Sequence, residues 1–125
     1  MKILIIFMAA TLFWVNALAQ EPNHIIRIAR LVIDSALLTQ YNAALKEEIE
    51  TAVRVEPGVL TLYALAEKEN RTHVTIFEIY ASTDAYRSHI QTAHFRKYKS
   101  ITKDMVKSLI LSEVIAIGLE SKLKQ

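Results

Sequence analysis

The chain has 125 residues, a formal net charge of +2 and no cysteine, which excludes disulfides and thiol chemistry. Its 15 basic and 13 acidic residues nearly balance, so the charge gives no reason to expect a nucleic acid or an anionic membrane surface as a partner. Only two glycines and two prolines occur, and low-complexity linkers are absent. Length and composition together predict one folded domain and no more.

The first 19 residues have the three parts of a secretory signal peptide. Lys2 supplies a positive charge, an apolar run covers residues 3–15, and Ala17-Leu18-Ala19 fits the small-residue cleavage pattern. The apolar run is short for a membrane-spanning helix, so we expect cleavage after Ala19 rather than retention as an N-terminal anchor. The sequence thus predicts a signal peptide at 1–19, a single domain at 20–125, and a periplasmic or secreted protein without a stable membrane anchor.

The first half of the domain predicts a strand followed by a helix. His24 to Ile33 is rich in β-branched residues and indicates a first strand, after which Asp34 can start a helix. From Leu38 onward, apolar residues recur at three- and four-residue steps, the pattern of an amphipathic helix whose charged residues form a solvated face. These charged residues are Glu47, Glu48, Glu50 and Arg54. Glu56-Pro57-Gly58 should end the helix, because proline disfavours the α conformation at Glu56 and glycine permits a turn.

The second half predicts two strands, a helical region and a last strand. These segments are Val59 to Ala66, His73 to Ala81, a helix from near Thr83 toward Met105 with room for a break near Thr92, and Leu109 to Ile117. The order βαββαβ predicts an α+β, ferredoxin-like fold with a four-stranded antiparallel sheet and both helices on one face. Since the first and last strands are apolar on both sides, we expect the other face to pack against a second copy, giving a dimeric α/β-barrel-like assembly.

Residues 76–98 gather side chains that could form a pocket for a flat organic molecule. His94 is a candidate catalytic base, because a neutral imidazole can take a proton from a hydroxyl group and return it. The alternative is a histidine that is hydrogen-bonded to a backbone carbonyl. His89 could orient His94 or a ligand oxygen, or it could be a half-buried helix residue with a hydrogen-bond partner.

Glu78 is a second candidate for proton transfer. It lies on one side of its predicted strand with Ile76 and Tyr80, and apolar neighbours would raise its proton affinity. The alternative is a salt bridge to Arg27 or Arg30 on a neighbouring strand. The candidate substrate-binding residues are Tyr63, Tyr80, Tyr86 and Phe95, although buried tyrosines with satisfied hydroxyls need no function.

The sequence predicts no metal site and no cofactor. His89 and His94 are five residues apart, which does not match the spacing of two ligands on one helix, and neither HxxxH nor HExxH occurs. No glycine-rich nucleotide-binding fingerprint is present.

The segment IFEIYASTDAYRSHIQTAHFRKY (76–98) resembles the antibiotic biosynthesis monooxygenase domain, and within it the small proteins of the quinol monooxygenase type. LKEEIETAVRVEPGVLTLYALAEKEN (45–70) and KDMVKSL (103–109) extend the resemblance over nearly all of the domain. The resemblance implies a homodimeric enzyme that oxidises quinols or related phenols with oxygen and without a cofactor. It also implies His94 as base, with His89 or Glu78 assisting and tyrosines positioning the ring.

Three other functions stay open at this point. An isomerase or tautomerase of a small oxygenated metabolite needs only an acid–base pair. A periplasmic small-molecule-binding protein could keep the fold without turnover. Haem degradation, another activity of related proteins, fits poorly, because the only tryptophan in the chain is Trp14 in the predicted signal peptide.

Overall fold

A computed structural model describes residues 23–123. The predicted signal peptide and its cleavage site lie outside the described residues. The elements run in the order β1 (Ile25–Ile33), a 3-10 turn (Ser35–Leu37), α1 (Leu38–Val55), β2 (Val59–Ala66), β3 (His73–Tyr80), α2 (Thr83–His89), α3 (Ala93–Thr102) and β4 (Val106–Val114). None of the described helices is both long enough and apolar enough to cross a membrane.

The four strands form one open antiparallel sheet in the order β2-β3-β1-β4. The three helices pack on one face of it, where side chains of β1 and β3 meet α1 and α3 in the main core. A buried hydrogen bond of 2.8 Å between the hydroxyls of Tyr41 and Tyr98 joins α1 to α3 within that core. The predicted ferredoxin-like fold is confirmed.

The prediction for the last strand was wrong by three residues at each end. β4 begins at Val106 and ends at Val114, whereas the apolar composition predicted Leu109 to Ile117. Pairing with β1 sets these bounds, because Ile33 lies opposite Val106 and the N–H of Asp34 bonds to the Met105 carbonyl. Polar residues early in β4 therefore pair in the sheet, while Ile117 lies beyond it and is exposed.

The predicted second helix is two helices, separated where a break had been allowed for. α2 ends at His89, and α3 begins after Thr92, whose hydroxyl accepts a hydrogen bond from the N–H of Phe95. A threonine hydroxyl in this position satisfies a backbone donor that the helix cannot. The break turns the chain between His89 and His94, which the functional site depends on.

Gly58 lets α2 come close to the turn after α1. A Cβ atom built on Gly58 would lie 2.5 Å from the Cβ of Ala85, far inside van der Waals contact. The carbonyl of Gly58 also accepts a hydrogen bond of 2.8 Å from the N–H of Ala81. Because Gly58 has no side chain, α2 can pack closely against the end of α1, which includes Glu56.

The other face of the sheet carries several exposed apolar side chains. Tyr63 and Leu65 on β2 and Ile110 on β4 are all exposed there. Their register partners Phe77, Thr75 and Arg30 alternate with the residues that face the helices. No helix of the described chain covers this open face.

Candidate active site

A cavity of about 260 Å³ lies between the sheet and the helices α2 and α3. Its volume exceeds that of an engineered apolar cavity of about 150 Å³ that holds benzene, so it suits a molecule of one or two rings. The lining is mostly apolar and aromatic, with a few polar groups, as is usual for small-molecule sites. The lining residues are Arg27, Ala29, Leu31, Ile76, Glu78, Tyr80, Tyr86, Phe95, Tyr98, Lys99, Thr102, Lys103, Val106, Leu109 and Leu111.

Glu78 and Tyr80 form the polar pair of this cavity. They are two residues apart on β3, so both side chains point to the helix face of the sheet. The Tyr80 hydroxyl donates a hydrogen bond of 2.6 Å to Glu78 Oε1. The ring of Tyr80 is fully buried and packs edge-on against Tyr86, with 5.2 Å between ring centroids.

The surroundings of Glu78 favour its protonated form. Burial raises the pKa of the Glu78 carboxyl, and the Tyr80 hydrogen bond and the charges of His89 and Arg27 counter this only in part. Burial also raises the pKa of Tyr80, so this hydroxyl keeps its proton and remains a donor. A carboxyl group with raised proton affinity in an apolar cavity is suited to exchanging a proton with a bound ligand.

Arg27 lies directly opposite Glu78 in the sheet. Its guanidinium carbon lies 4.6 Å from the centroid of the Tyr86 ring, a cation–π geometry. Lys99 on α3 and Lys103 just after it also line the cavity. Their four-residue spacing, about one helical turn, is the sequence feature that indicates that they share a side.

His89 and His94 are brought together, but neither lines the cavity. Glu56 joins them, since its Oε2 lies 2.9 Å from His89 Nδ1 and 2.6 Å from His94 Nε2. The His89 ring packs against Phe95 and Tyr80, with ring centroids 5.0 and 5.3 Å apart. His89 is therefore separated from the cavity by aromatic side chains that line it, and His94 lies beyond His89, with 6.3 Å between their ring centroids.

Two acidic residues beside these histidines, Glu56 and Glu48, were not predicted as site residues from the sequence. Glu56 was considered only as the residue that ends the helix before proline. Glu48 was placed on a solvated face, yet it is only 6% exposed and its Oε1 lies 3.6 Å from His89 Nε2. The burial of Glu48 could have been predicted from its spacing. It lies at helical steps from Tyr41, Leu45 and Ala52, and all four residues are buried.

The spacing argument against a shared metal assumed one continuous helix. Because the helix breaks between them, one nitrogen of His89, one nitrogen of His94 and one carboxylate oxygen of Glu48 lie within 4.8 Å of one another. This group, with Glu56, is called the Glu–His cluster below.

Tyr63 is separated from the other predicted site residues. Tyr80, Tyr86 and Phe95 line the cavity, but Tyr63 pairs with Phe77 and stacks on it on the open face, with 6.4 Å between ring centroids. Because Phe77 and Glu78 are neighbours on β3, their side chains point to opposite faces. The structure therefore places Tyr63 on the open face, outside the cavity that the other predicted site residues line.

Comparison with known proteins supplies the family. The profile of the family described as "Antibiotic biosynthesis monooxygenase" matches residues 24–100. A crystal structure of a "putative antibiotic biosynthesis monooxygenase" from Bacteroides thetaiotaomicron is 54% identical, with 82% of this chain and 97% of that chain covered and a TM-score of 0.78. A comparison with the curated proteins finds no match.

More distant structures share the fold. A "putative monooxygenase" from Lactobacillus acidophilus is 26% identical over 76% of this chain and 45% of that chain, with a TM-score of 0.74. A "putative antibiotic biosynthesis monooxygenase" from Caulobacter crescentus is 19% identical over 78% of this chain and 92% of that chain, with a TM-score of 0.72. The family profile and the 54% identical relative together show that this chain belongs to the antibiotic biosynthesis monooxygenase family.

Proposed function

We propose that the protein is a monooxygenase that oxidises a small quinol or related phenol, bound in the 260 Å³ cavity, with molecular oxygen and without a cofactor. The observation that carries the proposal is the Glu78–Tyr80 pair inside an aromatic cavity. Membership of the family supports the reaction class. The size and lining of the cavity support a flat substrate of one or two rings.

In the proposed reaction, Glu78 removes a proton from a hydroxyl of the quinol, while Tyr80 holds the carboxyl group in place. Deprotonation makes the ring a stronger reductant, so an electron can pass to oxygen within the cavity. One oxygen atom enters the ring and the other leaves as water. A quinol and O₂ thus give a hydroxyquinone and H₂O, and the substrate supplies all the electrons.

Glu78 replaces His94 as the base in this proposal. His94 does not line the cavity, and its Nε2 is engaged by Glu56 at 2.6 Å. A base must come within hydrogen-bond reach of the proton it removes, directly or through one water. Glu78 meets that requirement for a ligand in the cavity.

Oxygen uptake by the purified protein with a panel of reduced quinols tests the reaction. We expect uptake well above autoxidation, one O₂ consumed per quinol, and a product heavier than the quinone by one oxygen atom. Rates equal to autoxidation for every quinol would overturn the proposal. So would formation of one hydrogen peroxide per O₂, because the protein would then be an oxidase.

The same pair also supports an isomerase or tautomerase, since Glu78 could remove a proton and Tyr80 could donate to an adjacent oxygen. Turnover of an enolisable substrate without oxygen would favour this second candidate. Ligand binding without turnover in either assay would favour a non-catalytic binding protein.

We expect Lys103→Met to weaken the binding of substrate. Arg27, Lys99 and Lys103 face the cavity with Glu78 as the one acidic lining residue, so the cavity favours a phenolate or another anionic ring substituent. The KM should rise about fivefold with little change in kcat, and added salt should narrow the difference. Lys107→Met, a change at an exposed residue of β4 outside the lining, is the matched control; an equal effect there would contradict a local role for Lys103.

We also propose that two copies pair through the open face, with export to the periplasm or beyond. The exposed side chains of Tyr63, Leu65 and Ile110 support the pairing. The predicted signal peptide supports export. Sedimentation equilibrium would show a monomer if the pairing is wrong. Recovery of the protein from the cytoplasm with residues 1–19 still attached would contradict export, and an exported protein that begins elsewhere than Gln20 would contradict the cleavage site.

A further inference from the structure

We propose that the Glu–His cluster binds a divalent transition-metal ion such as zinc. The site lies between α1, α2 and α3, and its role is structural. Glu48 comes from α1, His89 from the end of α2 and His94 from the start of α3. One donor atom of each lies within 4.8 Å of the others, a separation that small side-chain movements can close around an ion. Two imidazoles and one carboxylate are a set of three protein ligands that zinc adopts with water in the fourth position.

The strongest support is a buried oxygen atom that accepts no hydrogen bond within the described residues. Glu48 Oε1 is inaccessible to solvent and makes no hydrogen bond within the described part of the chain. It faces the buried ring of His89, whose Nε2 is 3.6 Å away. A carboxylate oxygen buried without a donor is costly, and coordination of a cation removes that cost.

The charge of the cluster also calls for a cation. Glu48 and Glu56 are both mostly buried, and the ion pairs that they form within residues 23–123 are with histidines alone. The nearby Lys97 pairs instead with the exposed carboxylate of Glu47 at 2.6 Å. Two carboxylates and two imidazoles can therefore be neutralised only by protons on the cluster itself or by a bound ion.

Glu56 provides the orientation that metal-binding histidines usually have. It contacts Nδ1 of His89 and Nε2 of His94, which leaves one other nitrogen on each ring. A carboxylate on the second ring nitrogen fixes the tautomer of a ligating histidine and increases its basicity. His89 fits this arrangement directly, because its Nε2 is the atom that faces Glu48.

The packing leaves a small space beside two of the three proposed ligands. A second cavity of about 20 Å³ lies between α1 and α3, and its lining includes Glu48 and His94 but not His89. That volume is about what one water molecule or ion needs. Of the residues that line the substrate cavity, Tyr98 alone also lines this one, so we assign the ion to holding the helices together rather than to contact with substrate.

The test titrates zinc into untagged protein that has first been treated with a chelator. We expect one ion per chain, release of protons, and a rise in melting temperature of about 10 °C at a hundredfold excess over the dissociation constant. Cobalt(II) in place of zinc should give a visible absorption band from nitrogen and oxygen ligands. None of these measurements depends on turnover, so they are independent of the proposed oxygenase reaction.

Three variants separate this site from surface binding. Glu48→Gln keeps the shape of the side chain and removes the buried charge, so the metal-free protein should melt no lower than wild type while the response to zinc is lost. Glu56→Gln should weaken zinc binding by roughly 10- to 100-fold. Glu47→Gln, the exposed neighbour, should keep the full response. Absence of a zinc-induced shift in the wild type, or equal loss in Glu47→Gln and Glu48→Gln, would overturn the proposal.

Discussion

Glu78→Gln is expected to abolish quinol oxidation and at the same time to raise the melting temperature. The amide cannot accept the substrate proton, so kcat should fall by about 10²- to 10⁴-fold. The same change removes a carboxyl group whose ionisation is opposed by burial. A gain in stability with a loss of activity is the outcome expected of a carboxylate held in place for function.

The stability gain should depend on pH with a definite sign. Because the pKa of Glu78 is raised in the folded state, the unfolded chain ionises first as pH rises, and the folded wild type loses stability from the ordinary carboxyl range up to the folded pKa. Glu78→Gln lacks this loss, so the two unfolding curves should diverge with rising pH. Thermal unfolding followed from about pH 4 to about pH 8, a range that spans the carboxyl pKa values, measures the difference.

Activity should rise with pH over the same range, since the base must be ionised. The Tyr80 hydrogen bond lowers the pKa of Glu78, so Tyr80→Phe should move the rising limb of the kcat/KM profile to higher pH. Glu113→Gln is the matched control, because Glu113 is the residue opposite Arg27 on β4 and lies outside the cavity. Wild-type turnover by Glu78→Gln would refute the assignment of the base.

His89→Ala should destabilise the protein by about 3–5 kcal/mol, even with a chelator present to exclude metal. His89 is 2% exposed, and its loss removes the imidazole neighbour of the buried Glu48 and one of the two histidine partners of Glu56. It also opens a gap beside Tyr80 and Phe95. The melting temperature should fall by more than about 10 °C. Chemical denaturation gives the free energy of unfolding directly.

His73→Ala is the matched control for that change. His73 is exposed and lies 3.6 Å from the exposed carboxylate of Glu67, so its removal should change the free energy of unfolding by no more than about 0.5 kcal/mol. If the two histidine variants were equally stable, the Glu–His cluster would not be a stabilising part of the fold.

The elements of this fold were largely predictable because each leaves a local pattern. Apolar residues at helical steps placed the start of α1 at Leu38, and the Glu-Pro-Gly turn placed the start of β2 at Val59, as the structure has them. β4 was shifted because apolar composition says nothing about which residues pair with β1. Register is a property of two strands together, and one strand read alone does not contain it.

The site was predictable only where it depends on one element. Alternation along β3 was enough to place Glu78 and Tyr80 on one side. The face of the sheet on which Tyr63 lies depends on its pairing with Phe77, which the sequence of β2 alone does not contain. The residues of the Glu–His cluster come from three helices and meet because the chain breaks at Thr92. The apolar pattern of one helix does not show which residues of other helices lie next to it.

The pairing of β1 with β4 has a consequence for how the protein acquires its binding capacity. Ile33 and Val106 are direct partners although most of the domain separates them in sequence, and such non-local pairing slows folding. Leu109 and Leu111 on β4 also form one wall of the substrate cavity. A growing chain therefore lacks this wall of the cavity until β4 joins the sheet. The capacity to bind a ligand is then acquired in one late step of folding rather than gradually along the chain.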